Sequence, residues 1–216
     1  CFKKLYLFFF FLVLLLTIHV NGYASLPQIK SLIIKSDSSY IRAAISEINL
    51  LRKNKKWSKV IEFSNSFVKE AEQHNNKLLI SDILQIKASA LRSMGNLDES
   101  LSSLHKALLI EEQADNFNNQ AALLNDISLL YTDLGYYALG LKYLYQGLRV
   151  TEKHKDFLNQ SKLLYSISAI YFIQNDLDNS KLYLDKADSL MTFVENKKLI
   201  PYIHKSLLLL YFHMSQ

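Results

Sequence analysis

The sequence is poor in the residues that staple or punctuate a chain. Cys1 is the only cysteine, so no internal disulfide is available and a small disulfide-stapled scaffold is excluded. Cys1 also precedes the apolar run near the N-terminus, so it is not the lipid-bearing cysteine that follows a lipoprotein signal. Two prolines and five glycines in 216 residues, with little β-branched alternation, leave too few breaks for an all-β chain. The composition predicts an all-α protein. An excess of one charge is missing as well. The net charge is +5, and setting aside Lys3 and Lys4 (5 − 2) leaves +3, too mild for a nucleic-acid partner.

Chemistry-bearing patterns are equally scarce. No nucleophile motif, phosphate-cradling glycine loop or paired-carboxylate signature occurs, so this segment is not expected to be an enzyme or to hold a cofactor. His74 and His154 fall near the ends of helices, where a cation complements the helix dipole. His105, His204 and His213 have no partner at ligand spacing, so no metal is expected either.

What the sequence does contain is one pattern, repeated. In Leu123–Val150, Leu123, Leu124, Ile127, Leu130, Tyr131 and Leu134 fall at helical spacing on one face. Gly135 follows as a left-handed helix terminator. Tyr137, Leu141, Leu144 and Leu148 make a second stripe, with Gly140 and Gly147 where another backbone can approach. The pattern recurs at an offset of 40 residues. Leu84, Leu124 and Leu164 share one column, and Leu91, Tyr131, Tyr171 and Tyr211 another. Ala88, Ser128 and Ser168 are uniformly small, as are Val60, Ser100, Gly140 and Ser180, and the column of Phe67, Ala107, Gly147 and Ala187 is small after its first member. The turn column reads Lys55, Gly95, Gly135, Asn175, and Trp57, Leu97, Tyr137 and Leu177 follow it.

These columns resemble the tetratricopeptide repeat, a helix-turn-helix unit, with Leu124, Ile127, Ser128, Tyr131, Gly135, Tyr137, Gly140 and Gly147 at its consensus positions. The resemblance implies an α-solenoid of antiparallel helix pairs over residues 38–216. The copies run 38–77, 78–117, 118–157 and 158–197, with an incomplete fifth at 198–216. The standard unit is about 34 residues long and ends in a proline. Here that column holds Glu72, Glu112 and Glu152, so the second helix is expected to run on to the polar connectors His74–Lys77, Asp115–Asn119 and Lys155–Asn159. The longer period is similar to that of bacterial signalling proteins and kinesin light chains.

In that family the first helix of each pair lines a concave groove. The resemblance therefore nominates Asn49, Arg52, Gln85, Ser89, Arg92, Asn125, Thr132, Tyr165 and Phe172 as the partner groove, polar and basic early and aromatic late, suited to an extended peptide or a protein segment. The carboxylate clamp of some members does not carry over, because of Ile45, Asn49, Ile86, Ala122 and Asp126 only Asn49 fits. Arg52–Lys59 packs five cations around Trp57. It reads as a solvated turn, with contact to an acidic partner or anionic lipid as the alternative.

The N-terminal region is of another kind. Lys3 and Lys4, the apolar run Leu5–Leu16, and small Gly22 and Ala24 have the layout of a secretory signal over residues 1–24. The run is short of the roughly 20 residues that span a bilayer, with an uncleaved anchor as the rival. Residues 25–37 form a short amphipathic lead-in. The chain opens without Met and closes on LLLLYFHMSQ rather than a polar capping helix, so a fragment of a longer protein is expected. The functional expectation is a non-catalytic, exported interaction module, periplasmic or membrane-anchored. The alternative is the periplasmic sensor region of a membrane signalling enzyme, a diguanylate cyclase or histidine kinase, or of a membrane-tethered transcription regulator.

Overall fold

The computed structural model describes residues 38–73, 76–194 and 205. The expected signal segment, the lead-in, most of the incomplete fifth repeat, and His74, His204 and His213 lie outside them. Two units are distinguished, divided between Asn54 and Lys55. In the first, helix α1 (Ser38–Lys53) buries Ile48 and Leu51 completely.

The second unit contains seven described helices: α2 (Trp57–Gln73), α3 (Lys77–Ser93), α4 (Leu97–Gln113), α5 (Phe117–Asp133), α6 (Tyr137–His154), α7 (Phe157–Ile173) and α8 (Leu177–Leu190). A 3₁₀ turn, Met191–Phe193, closes it. Each helix packs on the next in sequence, and α5 also touches α7, giving sequential antiparallel pairs in the manner of a tetratricopeptide solenoid. Among the described residues no helix is long and apolar enough to cross a membrane.

The helices begin every twenty residues, at Trp57, Lys77, Leu97, Phe117, Tyr137, Phe157 and Leu177. One turn recurs at each junction. The backbone N–H of Asn76, Asn96, Asn116, Tyr136, Asp156 and Asp176 donates to the carbonyl five residues earlier at 2.8–3.0 Å, satisfying an orphan carbonyl of the preceding helix. The residue just before adopts a left-handed conformation at Gly95, Asp115, Gly135, Lys155 and Asn175, with Lys55 in the same conformation. All four positions of the turn column are therefore left-handed. Asparagine or aspartate occupies five of the six residues after these turns, and Asn76, Asp156 and Asp176 accept from the N–H three residues on, capping the helix that follows. Bonding to Asn179 holds the Asp176 carboxyl below its ordinary range. These caps correct the expected connectors: Phe117 and Phe157 already lie in helices, so the segments between helices are shorter than Asp115–Asn119 and Lys155–Asn159.

The packing columns occupy the interior. Leu84, Ala88, Leu104, Ala107, Leu108, Leu123, Leu124, Ile127 and Leu130 form one core cluster among α3, α4 and α5. Leu144, Leu148, Leu163, Leu164, Ile167, Ile170, Leu184, Ala187 and Met191 form a second cluster among α6, α7, α8 and the 3₁₀ turn. The two helical glycines sit where contacts are closest. A Cβ on Gly140 would lie 3.3 Å from the Ser128 carbonyl, and one on Gly147 would lie 3.0 Å from both terminal carbons of Leu163. Two expected core members behave differently. Leu134 is 38% exposed because it caps α5 instead of belonging to it. Tyr131 is only half-buried and stacks on Tyr143 with centroids 5.3 Å apart, a pair that Tyr171 and Tyr183 reproduce at 5.5 Å forty residues on.

Candidate functional site

The first helices α3, α5 and α7 are tied to one another by polar side chains. Gln85 Nε2 donates to Asp126 Oδ2 at 2.8 Å, and Ser166 Oγ donates to Asn125 Oδ1 at 2.7 Å. The Arg92 guanidinium grips Asp133 through Nε and Nη2, the latter at 3.1 Å. Each of these bonds joins residue i to residue i+41, one more than the sequence period. Asn119 Nδ2 adds a fourth rung, reaching Asp82 Oδ1 at 3.3 Å. The bonds to Asp133, helped by its charge and that of Asp126, hold the Arg92 proton more firmly than in a free arginine. A pair this exposed contributes little to stability, but it fixes where both side chains point.

The nominated residues therefore divide. Gln85, Arg92 and Asn125 are brought into these rungs. Ser89 and Thr132 are half-buried and bond their own helices, to the carbonyls of Ile86 and Ser128. Tyr165 is half-buried and Phe172 is 38% exposed on α7. Asn49 and Arg52 stand on α1 in the first unit, half-buried and exposed. Arg92 does not offer an uncompensated positive charge, since Asp133 neutralises it. Sequence reasoning missed Asp82, Asn119, Asp126, Asp133 and Ser166. Comparing positions 41 apart instead of 40 brings out three of these partners.

Behind the rungs lies a buried carboxylate. Glu111 on α4 is fully buried; its Oε1 accepts from Asn119 Nδ2 at 2.9 Å and its Oε2 has no partner. Asp82 shares the same amide. Burial pushes the Asp82 carboxyl up, the Asn119 bond pulls it down, and the charge of Glu111 pushes it up again, for a net rise. Among the described residues no group of three or more His, Cys, Asp or Glu is placed to hold a metal. The two described helical histidines serve ring packing: His154 stacks on Phe117 with centroids 3.5 Å apart, and His105 lies 5.9 Å from Tyr143.

Comparison with known proteins agrees with this architecture. Residues 161–190 match the family described as tetratricopeptide repeat. No curated protein sequence matches the chain. Among solved structures it is similar to BtubC from P. vanneervenii, at TM-score 0.66 and 14% identity over 79% of this chain and 70% of that one. RapI in its apo form gives TM-score 0.66 and 15% identity, over 79% of this chain and 62% of RapI. A signal-transduction ATPase from Pyrococcus horikoshii, described as having a tetratricopeptide repeat sensor, gives the same score and 15% identity over 79% of this chain. The chain spans only 27% of that ATPase. At these identities the likeness establishes the fold.

Proposed function

We propose that this chain, built of tetratricopeptide-like helix pairs, is a non-catalytic module that binds an extended peptide or protein segment along its first helices. The observation that carries the reading is the set of rungs at i, i+41. Polar side chains on α3, α5 and α7 are held by partners on the neighbouring first helix, so a ligand meets a surface already ordered and the entropic cost of binding is small. Gln85, Ser89, Arg92, Asn125, Thr132, Tyr165 and Phe172 remain the proposed contact set in the second unit, with Asp126 and Asp133 added. The segment recognised is polar where it meets Gln85, Arg92 and their carboxylates, and apolar where it meets Phe172.

Selection from a displayed library of random linear peptides tests this. Enriched peptides are expected to lose at least tenfold in affinity to Asn125→Ala and Phe172→Ala variants. No enrichment, or peptides indifferent to both substitutions, would refute it.

A second reading is supported by the ATPase whose repeats are described as a sensor: the chain is the sensor region of a larger signalling protein. Lys3, Lys4 and Leu5–Leu16 support export of that region. Sequencing the source gene through and beyond the codon for Gln216, with fractionation of a tagged chain, tests both parts. An effector domain in frame and a non-cytoplasmic chain are expected. A stop codon with cytoplasmic residence would overturn this second reading.

A further inference from the structure

Between the second helices α6 and α8 and the first helix α7 lies an open cleft of about 540 Å³, within the range of small-molecule sites. Leu148 and Leu164, both buried, form its floor together with half-buried Leu190. Tyr145 and Tyr183 wall one side, their hydroxyls bonded at 2.7 Å. That bond and burial fix the phenols in place; burial first, then the bonds to Tyr183 and Tyr171, push Tyr145 ionisation far above its ordinary range. Arg149 and Lys186 line the same cleft, with Glu152 as its one carboxylate. No ion pair joins either cation to an acid among the described residues, and the Lys186 ammonium instead lies 5.0 Å from the Tyr183 ring centroid. Two cations against one carboxylate, above an apolar floor with an aromatic wall, favour a ligand with a flat apolar body and a single negative charge.

A second cleft, of about 460 Å³ among α2, α3 and α4, occupies the same place in the repeat eighty residues earlier. Glu72 and Lys106 there correspond to Glu152 and Lys186. It has Asn65 in place of Tyr145, and Lys69, in the position of Arg149, does not line it. The general cleft therefore comes from the repeat, and its aromatic wall and guanidinium belong to the later copy.

We propose that the cleft among α6, α7 and α8 binds a small aromatic carboxylate, with Arg149 and Lys186 holding the anion and the Tyr145–Tyr183 pair meeting the ring. Titration of the full chain with 2-naphthoate and with its neutral amide, 2-naphthamide, tests this. Naphthoate is expected to bind at least tenfold more tightly. Arg149→Gln with Lys186→Gln should abolish that preference without moving the thermal midpoint, because both side chains are exposed. Lys106→Gln should leave it intact. Equal affinity for the two probes, an unchanged preference in the double variant, or loss of the preference in Lys106→Gln would each overturn the assignment. None of these outcomes bears on peptide binding along the first helices.

Discussion

Replacing Glu111 by glutamine should stabilise the protein, although it removes a side chain that is fully buried and hydrogen-bonded. The wild-type carboxylate keeps one bond, from Asn119, and leaves Oε2 without a partner in an environment closed to water. An unsatisfied buried polar atom costs about 1–3 kcal/mol, more when charged. Glutamine keeps an oxygen for Asn119 and nearly the same volume, but it exchanges the unpartnered oxygen for an amide NH2, so what it removes is the charge and its repulsion of Asp82. A gain of up to about 1 kcal/mol at pH 7, the excess cost of a charged over a neutral unsatisfied group, is therefore expected, read as a rise in the urea midpoint at unchanged slope, or as roughly 2–4 °C in Tm per kcal/mol. The pH dependence provides a check. Asp82 has a folded pKa raised above its ordinary 3.8, so its favourable contribution is complete below 3.8 and is lost as pH rises through the folded value. Removing Glu111 removes one cause of that rise. The part of the gain due to repulsion should be present at neutral pH and fade as Asp82 takes up its proton. A Glu111→Gln variant less stable than wild type by more than about 1 kcal/mol at pH 7 would show that the charge is compensated and refute the reasoning.

Gly147→Ala should destabilise despite alanine's better helix propensity. The new methyl meets two carbons of buried Leu163 at 3.0 Å, and overpacking of about 1–3 kcal/mol outweighs the gain of about 1 kcal/mol; chemical denaturation measures the net loss. Ser128→Ala should be neutral or stabilising by up to about 1 kcal/mol in the same assay, because the buried hydroxyl has no partner. In the flanking copies this place is served by Ser100 Oγ bonded to the Ala88 carbonyl and by Ser168 bonded to Ser180, whereas Gly140 offers no hydroxyl. Asp133→Ala should change stability by less than about 1 kcal/mol, since its pair with Arg92 is exposed. It should, however, raise affinity for acidic peptides by freeing the guanidinium, and binding titrations at low salt measure this.

The fold was legible because its columns carry distinct physical demands. Gly95, Gly135 and Asn175 announce a left-handed turn by residue type, and their register carries Lys55 into the same conformation although lysine has no preference for it. Lys155 is left-handed without any such signal and Asp115 with a weaker one than glycine, so the sequence suggests longer connectors between repeats than the turns have. The buried column Ala71, Glu111, Thr151 and Met191 was hidden by its mixed chemistry; a lone glutamate reads as solvent-facing until its neighbours are placed. Side-chain rungs between first helices depend on how adjacent helices are offset along their axes. A sequence period does not record that offset, so the pairing of Arg92 with Asp133 is not legible in it.

The twenty-residue spacing of helix starts sets the backbone against the sequence, which repeats only every forty. Every turn is the same device, so the main chain does not distinguish a first helix from a second. Which helix carries the polar rungs is written only in side chains, through columns such as Tyr131 with Tyr171 and Gly140 with Ser180. Excising residues 97–116 would restore every junction, since one asparagine turn replaces another, yet it would place α5 where α4 had been. The shortened chain would keep its remaining helices and lose its sidedness, so that its two faces exchange character halfway along.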